Sequence, residues 1–211
     1  TALGRGTIAS GDDSTAMGAN TEASGNNSTA MGYSTTASGW FSTAMGEGTT
    51  ASGDFSTAIG ITSIASGDVS LAIGEDAIAS GITSTAMGGR TTASGNYSTA
   101  MGEGTTASGD DSIAMGVYTT ASGRTSTAMG TSTTASDNSS LVIGHFNLSG
   151  STVTANAADF SLDNTAFVVG NGTASNNRSD ALVVKFNGDA TLAGNLNINS
   201  DARLKANIIS L

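Results

Sequence analysis

Residues 14–27 run Ser-Thr-Ala-Met-Gly-Ala-Asn-Thr-Glu-Ala-Ser-Gly-Asn-Asn, and residues 28–41 repeat them as Ser-Thr-Ala-Met-Gly-Tyr-Ser-Thr-Thr-Ala-Ser-Gly-Trp-Phe. Outward from this pair, alanine recurs at every seventh residue from Ala2 to Ala135 and glycine at every seventh from Gly4 to Gly130. The residue between them alternates between a large apolar side chain and serine, so the true period is fourteen. Serine also returns without exception from Ser14 to Ser140 in steps of fourteen. About ten units fill residues 1–144, and a period of this kind makes the chain a one-dimensional stack. Because it starts in register at Thr1, the chain is expected to be a cut through a longer array.

A heptad spacing invites a coiled-coil reading, which the residue types refuse. Glycine in every heptad would cost a helix roughly 1 kcal/mol each time, and threonine is stiff at χ1. Glycine followed by two variable polar residues is turn chemistry, and the pieces Ser-Thr-Ala-Met-Gly and Thr-Thr-Ala-Ser-Gly have strand length. Two short strands and two tight turns make one coil. Coils stacked about 4.8 Å apart pair each strand with its copies above and below, giving a rod about 50 Å long. The predicted fold is all-β, a parallel β-roll of 14-residue coils followed by a small β-rich neck.

Alternation places Thr15 and Met17 on one face of a strand and Ser14 and Ala16 on the other. The expected core is the column Met17, Met31, Met45, Ile59, Ile73, Met87, Met101, Met115, Met129 and Ile143, facing the small Ala23, Ala37 and Ala51 of the opposite strand. The same alternation also allows Ala16 inward, with Met17 outward at an oligomer interface. Glu22 supports the first phase only in part, since a carboxylate beside Ala23 belongs outside so narrow an interior.

With no cysteine there is no disulfide framework, and with no proline nothing interrupts a continuous ladder. The formal net charge of -10 argues against a nucleic-acid partner, which needs clustered Lys and Arg. No apolar run approaches the roughly 20 residues of a membrane helix, so membrane insertion by this segment is not expected. His145, the only histidine, lacks companions at ligand spacing. Neither a metal, a cofactor nor an enzyme acting on outside substrates is expected.

The unit Ser-Thr-Ala-Met-Gly-x-x-Thr-Thr-Ala-Ser-Gly resembles the head repeat of trimeric autotransporter adhesins, the YadA-like heads, over residues 1–144. That resemblance implies a left-handed parallel β-roll. It also implies a homotrimer, with the head attaching to a host, matrix or glycan receptor at the cell surface. At the other end Asn-Ser-Asp-Ala-Arg-Leu-Lys-Ala-Asn-Ile, residues 199–208, resembles the start of the intramolecular chaperone of endosialidases and phage tail fibres and spikes. There a serine and a lysine five residues on take part in self-cleavage, which implies Ser200 and Lys205 acting at the Ser200–Asp201 bond. A lysine of lowered pKa can deprotonate a serine hydroxyl for attack on a backbone carbonyl, and Ser200 can equally cap a helix beginning at Asp201. Only eleven residues follow Ser200, so residues 200–211 are expected to be the start of a truncated chaperone. Autoproteolysis is the one catalytic event expected. The head repeat favours an extracellular adhesin on a bacterial surface, and the chaperone junction favours a virion tail fibre.

Between the two, residues 145–165 are expected to form a cap or neck linker. Residues 166–199 are expected to form a trimerising β-hairpin, with strands at Ala166–Gly170, Ala181–Phe186 and Ala190–Ile198 and a tight turn at Asn187-Gly188. In the repeat, sequence variety concentrates in the turns. One turn column runs Asp13, Asn27, Phe41, Phe55, Val69, Thr83, Tyr97, Asp111, with Trp40 and Ile82 beside it. The stripe Trp40, Phe41, Phe55, Val69 and Tyr97 is the expected protomer interface or exposed receptor patch. A double hydroxyl column such as Thr36-x-Ser38 suggests ice binding as a third function, although Ile8, Glu22, Ile64 and Ile78 interrupt it.

Overall fold

The computed structural model describes residues 1–148 and 157–195. Each repeat forms one five-residue strand, such as Thr15–Ala19, and one two-residue strand, such as Glu22–Ala23. Both stack in parallel on the next coil, Ala16 against Ala30 and Met17 against Met31 in one sheet, Ala23 against Ala37 in the other. The longer strands belong to a 14-stranded sheet and the shorter ones to a 10-stranded sheet. Turns join the ladder too: the Asn20 amide donates to the Arg5 carbonyl at 2.8 Å and the Asn27 amide to the Asp12 carbonyl at 2.7 Å. The chain is an all-β parallel solenoid of about ten coils, as the period predicts.

Its interior is alanine. Ala16, Ala30, Ala44 and their successors to Ala128 are fully buried, and so are Ala23, Ala37, Ala51 and onward to Ala135. Ser14, Ser28, Thr21 and Thr35 are buried beside them. The expected core column is therefore corrected. Met17, Met31, Met45, Ile59, Ile73, Met87, Met101, Met115, Met129 and Ile143 lie half-buried on the outer face of the larger sheet. The physical reason is thickness: two alanine columns meet across the lumen in one cluster, and no room remains between them for a four-atom side chain. Only some of the buried hydroxyls bond locally, and Thr21, Thr35 and Thr49 are among those with no partner. Ser14 and Ser42 donate to the carbonyls of Gly11 and Gly39, each at 2.7 Å. Ser28 and Ser56 make no such bond, although the Gly25 carbonyl lies beside Ser28, accepting its amide at 3.2 Å.

Glycine is required where the long strand turns. Gly60 has φ +124°, and a Cβ there would stand 2.0 Å from the carbonyl oxygen of Gly74. Gly46 meets Gly60 in the same way.

The roll ends by changing residues at its repeat positions. Val142 replaces alanine and packs with Val168 and Val183, and Asp137 stands where the repeat has glycine. Strand Thr165–Asn171 continues the larger sheet, parallel to Leu141–His145. Strands Asp180–Lys185 and Ala190–Leu192 then add antiparallel. The segment expected as a separate hairpin thus begins as one more strand of the roll, and its third strand ends at Leu192, with residues 193–195 outside any strand. Asp137 accepts from the amide and hydroxyl of Thr165. The Asn147 side chain pairs with the backbone of Thr134, accepting from its amide at 2.7 Å and donating to its carbonyl at 3.0 Å. Arg178 donates to the carbonyls of Ser132 and Asn147. A cleft of about 170 Å³ between roll and cap is lined by Val142, Val168, Val183 and Asp180. Burial pushes the Asp180 carboxyl above its usual range, and the donated amide of Leu148 offsets part of that rise.

Gly60→Ala is expected to destabilise the roll by roughly 3 kcal/mol or more, combining left-handed strain with a backbone clash. Gly89→Ala, where a Cβ meets nothing within 4 Å, is expected to leave thermal unfolding unchanged. Circular dichroism melts of the two variants check both.

Candidate binding surface

Two rows of turns form the edges of the roll, and the row that precedes the long strands carries the stripe. The second residue of each such turn is left-handed: φ is +55° at Asp13, +59° at Asn27, +53° at Phe41, +58° at Phe55, +59° at Val69 and +57° at Tyr97. Aspartate and asparagine tolerate this region, whereas bulky and β-branched residues are outliers there, at a cost of roughly 1–2 kcal/mol. The turn ladder enforces it. The Phe41 amide donates to Asn26, that of Phe55 to Trp40, that of Val69 to Asp54 and that of Tyr97 to Ile82, all at 2.7–2.9 Å.

The first residue of each turn builds a second ladder from side chains. Asn26 Oδ1 accepts from the amide of Asp12, Asp54 from Trp40, Asp68 from Asp54, Asn96 from Ile82 and Asp110 from Asn96, at 2.9–3.1 Å. Trp40 and Ile82 interrupt it, since neither has an oxygen to offer the turn before it. Two local rules of the fold are thus broken within one run of coils, in favour of apolar side chains that stay in water. Trp40 is 59% exposed, Phe55 58% and Tyr97 60%. Phe41 and Phe55 stack on each other, with centroids 5.2 Å apart and planes within 3°. Sites that break the rules of their own fold are where function is to be sought.

The structure brings Trp40, Phe41, Phe55, Val69 and Tyr97 together on this one edge, as the spacing predicts. Ser200 and Lys205 lie outside the described residues. His145 ends the last long strand of the roll, its ring edge-on to Phe146 at 5.0 Å. The opposite edge holds features that sequence reasoning passed over: Tyr33, Ile61, Val117 and Tyr118 are exposed there, and Arg90 forms an exposed ion pair with Glu103 at 2.5 Å. That pair, with Glu75 nearby, raises the pKa of Arg90 further. The cap residues Asp137, Asn147 and Arg178 were also missed. An aspartate in a glycine position was the available signal for the first of them. The hydroxyl columns of Thr36 and Ser38 lie along the 10-stranded sheet, where Ile8, Glu22, Ile64 and Ile78 take the threonine position.

The family model described as YadA head domain repeat (2 copies) matches residues 1–21, 23–46, 41–63, 65–91, 93–119 and 121–147. The chain belongs to the YadA head repeat family. The matches cover the roll and stop at Asn147, the residue that pairs with Thr134 at its end. No curated protein matches the chain. YadA head repeats point to an adhesive head or fibre of the trimeric autotransporter adhesin kind. Among the described residues, no helix is long and apolar enough to cross a membrane.

If the stripe is held against the preferences of its backbone, restoring those preferences stabilises this YadA-type head. Val69→Asn is expected to gain about 1 kcal/mol by relieving left-handed strain. Trp40→Asp is expected to gain roughly 0.5–1.5 kcal/mol by giving the Asn26 amide an acceptor. Either gain raises the melting temperature by a few degrees, and a lowered melting temperature in both would show that the stripe side chains stabilise the isolated roll.

Proposed function

We propose that the chain is the adhesive head of a homotrimeric extracellular fibre, three rolls packing through the outer faces of their larger sheets. The observation that carries this reading is the methionine and isoleucine column. It puts a large apolar residue on the outer face of every long strand from Leu3 to Ile143, flanked on the same face by Thr15, Thr29 and their equivalents. A continuous apolar stripe along a whole rod is more than a lone soluble chain keeps in water, and a column equidistant along three rods suits a threefold axis. The acidic turns then lie at the edges, away from that axis, and attachment falls to exposed surface outside it.

Met45→Lys with Met101→Lys is expected to reduce the native mass of the chain from three copies to one, with the β-sheet signal intact. A monomeric parent chain would remove the trimer. The same substitutions placed in the alanine column, at Ala44 and Ala100, are expected to abolish folding instead.

Assembly by a self-cleaving chaperone belongs to the same proposal, and the motif at 199–208 supports it. When a complete chaperone domain follows, the fibre is expected to be cut between Ser200 and Asp201. Ser200→Ala and Lys205→Ala are each expected to leave a single uncut band on a denaturing gel. That motif also favours a second reading, in which the same trimeric shaft belongs to a phage tail fibre that binds a host surface.

A further inference from the structure

We infer that the edge stripe from Trp40 to Tyr97 is a docking surface for a basic, apolar polypeptide segment laid along the rod. The inference rests on the adhesive reading above and names the chemistry of the ligand.

The stripe spans four coil steps from Phe41 to Tyr97, about 19 Å at the strand spacing. That length matches roughly six residues of extended chain. Phe41, Phe55 and Val69 form its apolar centre, all more than half exposed. Two carboxylates are set into the same run, Asp54 and Asp68. Each uses Oδ1 to accept a turn amide from the preceding coil, which fixes it in place while leaving its charge. The stripe is continued at one end by Asp110 and Asp111, and the repeat carries only three arginines, at positions 5, 90 and 124. Arg5 and Arg90 lie on the opposite edge, and Arg124 follows in the same turn column one coil beyond Asp110, outside the run from Trp40 to Tyr97. The field here is negative, and lysine or arginine on a partner would be drawn to it.

Ring geometry favours a peptide over a sugar. A pyranose seeks an open aromatic face, and in the Phe41–Phe55 stack one face of each ring is taken by the other. Aliphatic side chains fill the grooves beside such a stack, and cationic side chains of alternate residues reach Asp54 and Asp68. Rigid aromatic anchors between fixed carboxylates also keep the ordering cost of binding low.

Trp40, the only tryptophan of the chain, sits in the stripe and reports its occupancy. The full-length chain is titrated with three synthetic decapeptides, alternating Lys-Leu, Lys-Ser and Glu-Leu, while Trp40 emission is followed. Saturable binding with a blue shift is expected for Lys-Leu, with affinity at least tenfold above the other two. Phe41→Ser with Phe55→Ser is expected to weaken it tenfold or more. Asp54→Asn with Asp68→Asn keeps both Oδ1 acceptors and is expected to weaken binding severalfold and flatten its salt dependence. Glu47→Gln with Glu75→Gln, on the opposite edge, is expected to change it less than twofold. Equal binding of Lys-Ser, insensitivity to the phenylalanine changes, or a shift produced instead by cellotetraose would each overturn the inference. So would a fall in native mass on Phe41→Ser with Phe55→Ser, which would make the stripe a contact between copies. A parent chain that is trimeric but ignores Lys-Leu sinks this inference alone, while a monomeric parent that binds Lys-Leu through the stripe sinks the trimer alone.

Discussion

Each coil lies against the next so closely that at two corners only backbone fits. The Cβ that would stand 2.0 Å from a neighbouring carbonyl at Gly60 has counterparts at Gly53 and Gly67 on the other corner. That contact sets the rest. With glycine corners the two sheets close to within reach of facing alanines, the lumen excludes anything long, and the large apolar residues are forced outward. The fold is held by its continuous amide ladder and by many small buried groups, each contributing little and repeated some ten times. A single offending side chain therefore acts on both of its neighbours as well as on its own coil.

The period, the strands, the turns and the stacking of turn columns were legible because each follows from residue spacing alone. Which face of the strand points inward was not, since alternation is satisfied by either phase. The deciding signal lay in the contrast between faces. Ser14 and Ala16 repeat with almost no variation until Val142, whereas the position of Thr15 admits Leu71 and Ile113 and that of Met17 admits Ile59. Uniform small residues mark confined volume, and mixed larger ones mark a surface with room. A thin core was inferred correctly, then filled with the residue that looked most hydrophobic rather than with the one that fits.

The stripe was legible as a column, but its strain was not. Nothing in the spelling of Phe41 or Val69 announces a left-handed backbone. It emerges only when the turn ladder is seen to hold Asp13 and Val69 in one conformation. The same holds for the side-chain ladder, in which Trp40 and Ile82 are gaps. Sequence shows where variety is, and structure shows what that variety costs.

Asn147 carries a consequence for how such a rod grows. A parallel sheet that simply stopped at Thr134–Ala135 would offer its open edge to any other strand, including the first coil of another molecule. Asn147 answers the Thr134 amide and carbonyl with its own side chain, so at this position a second strand would find its pairing groups already taken. Capping of this kind works against end-to-end addition of strands at that position.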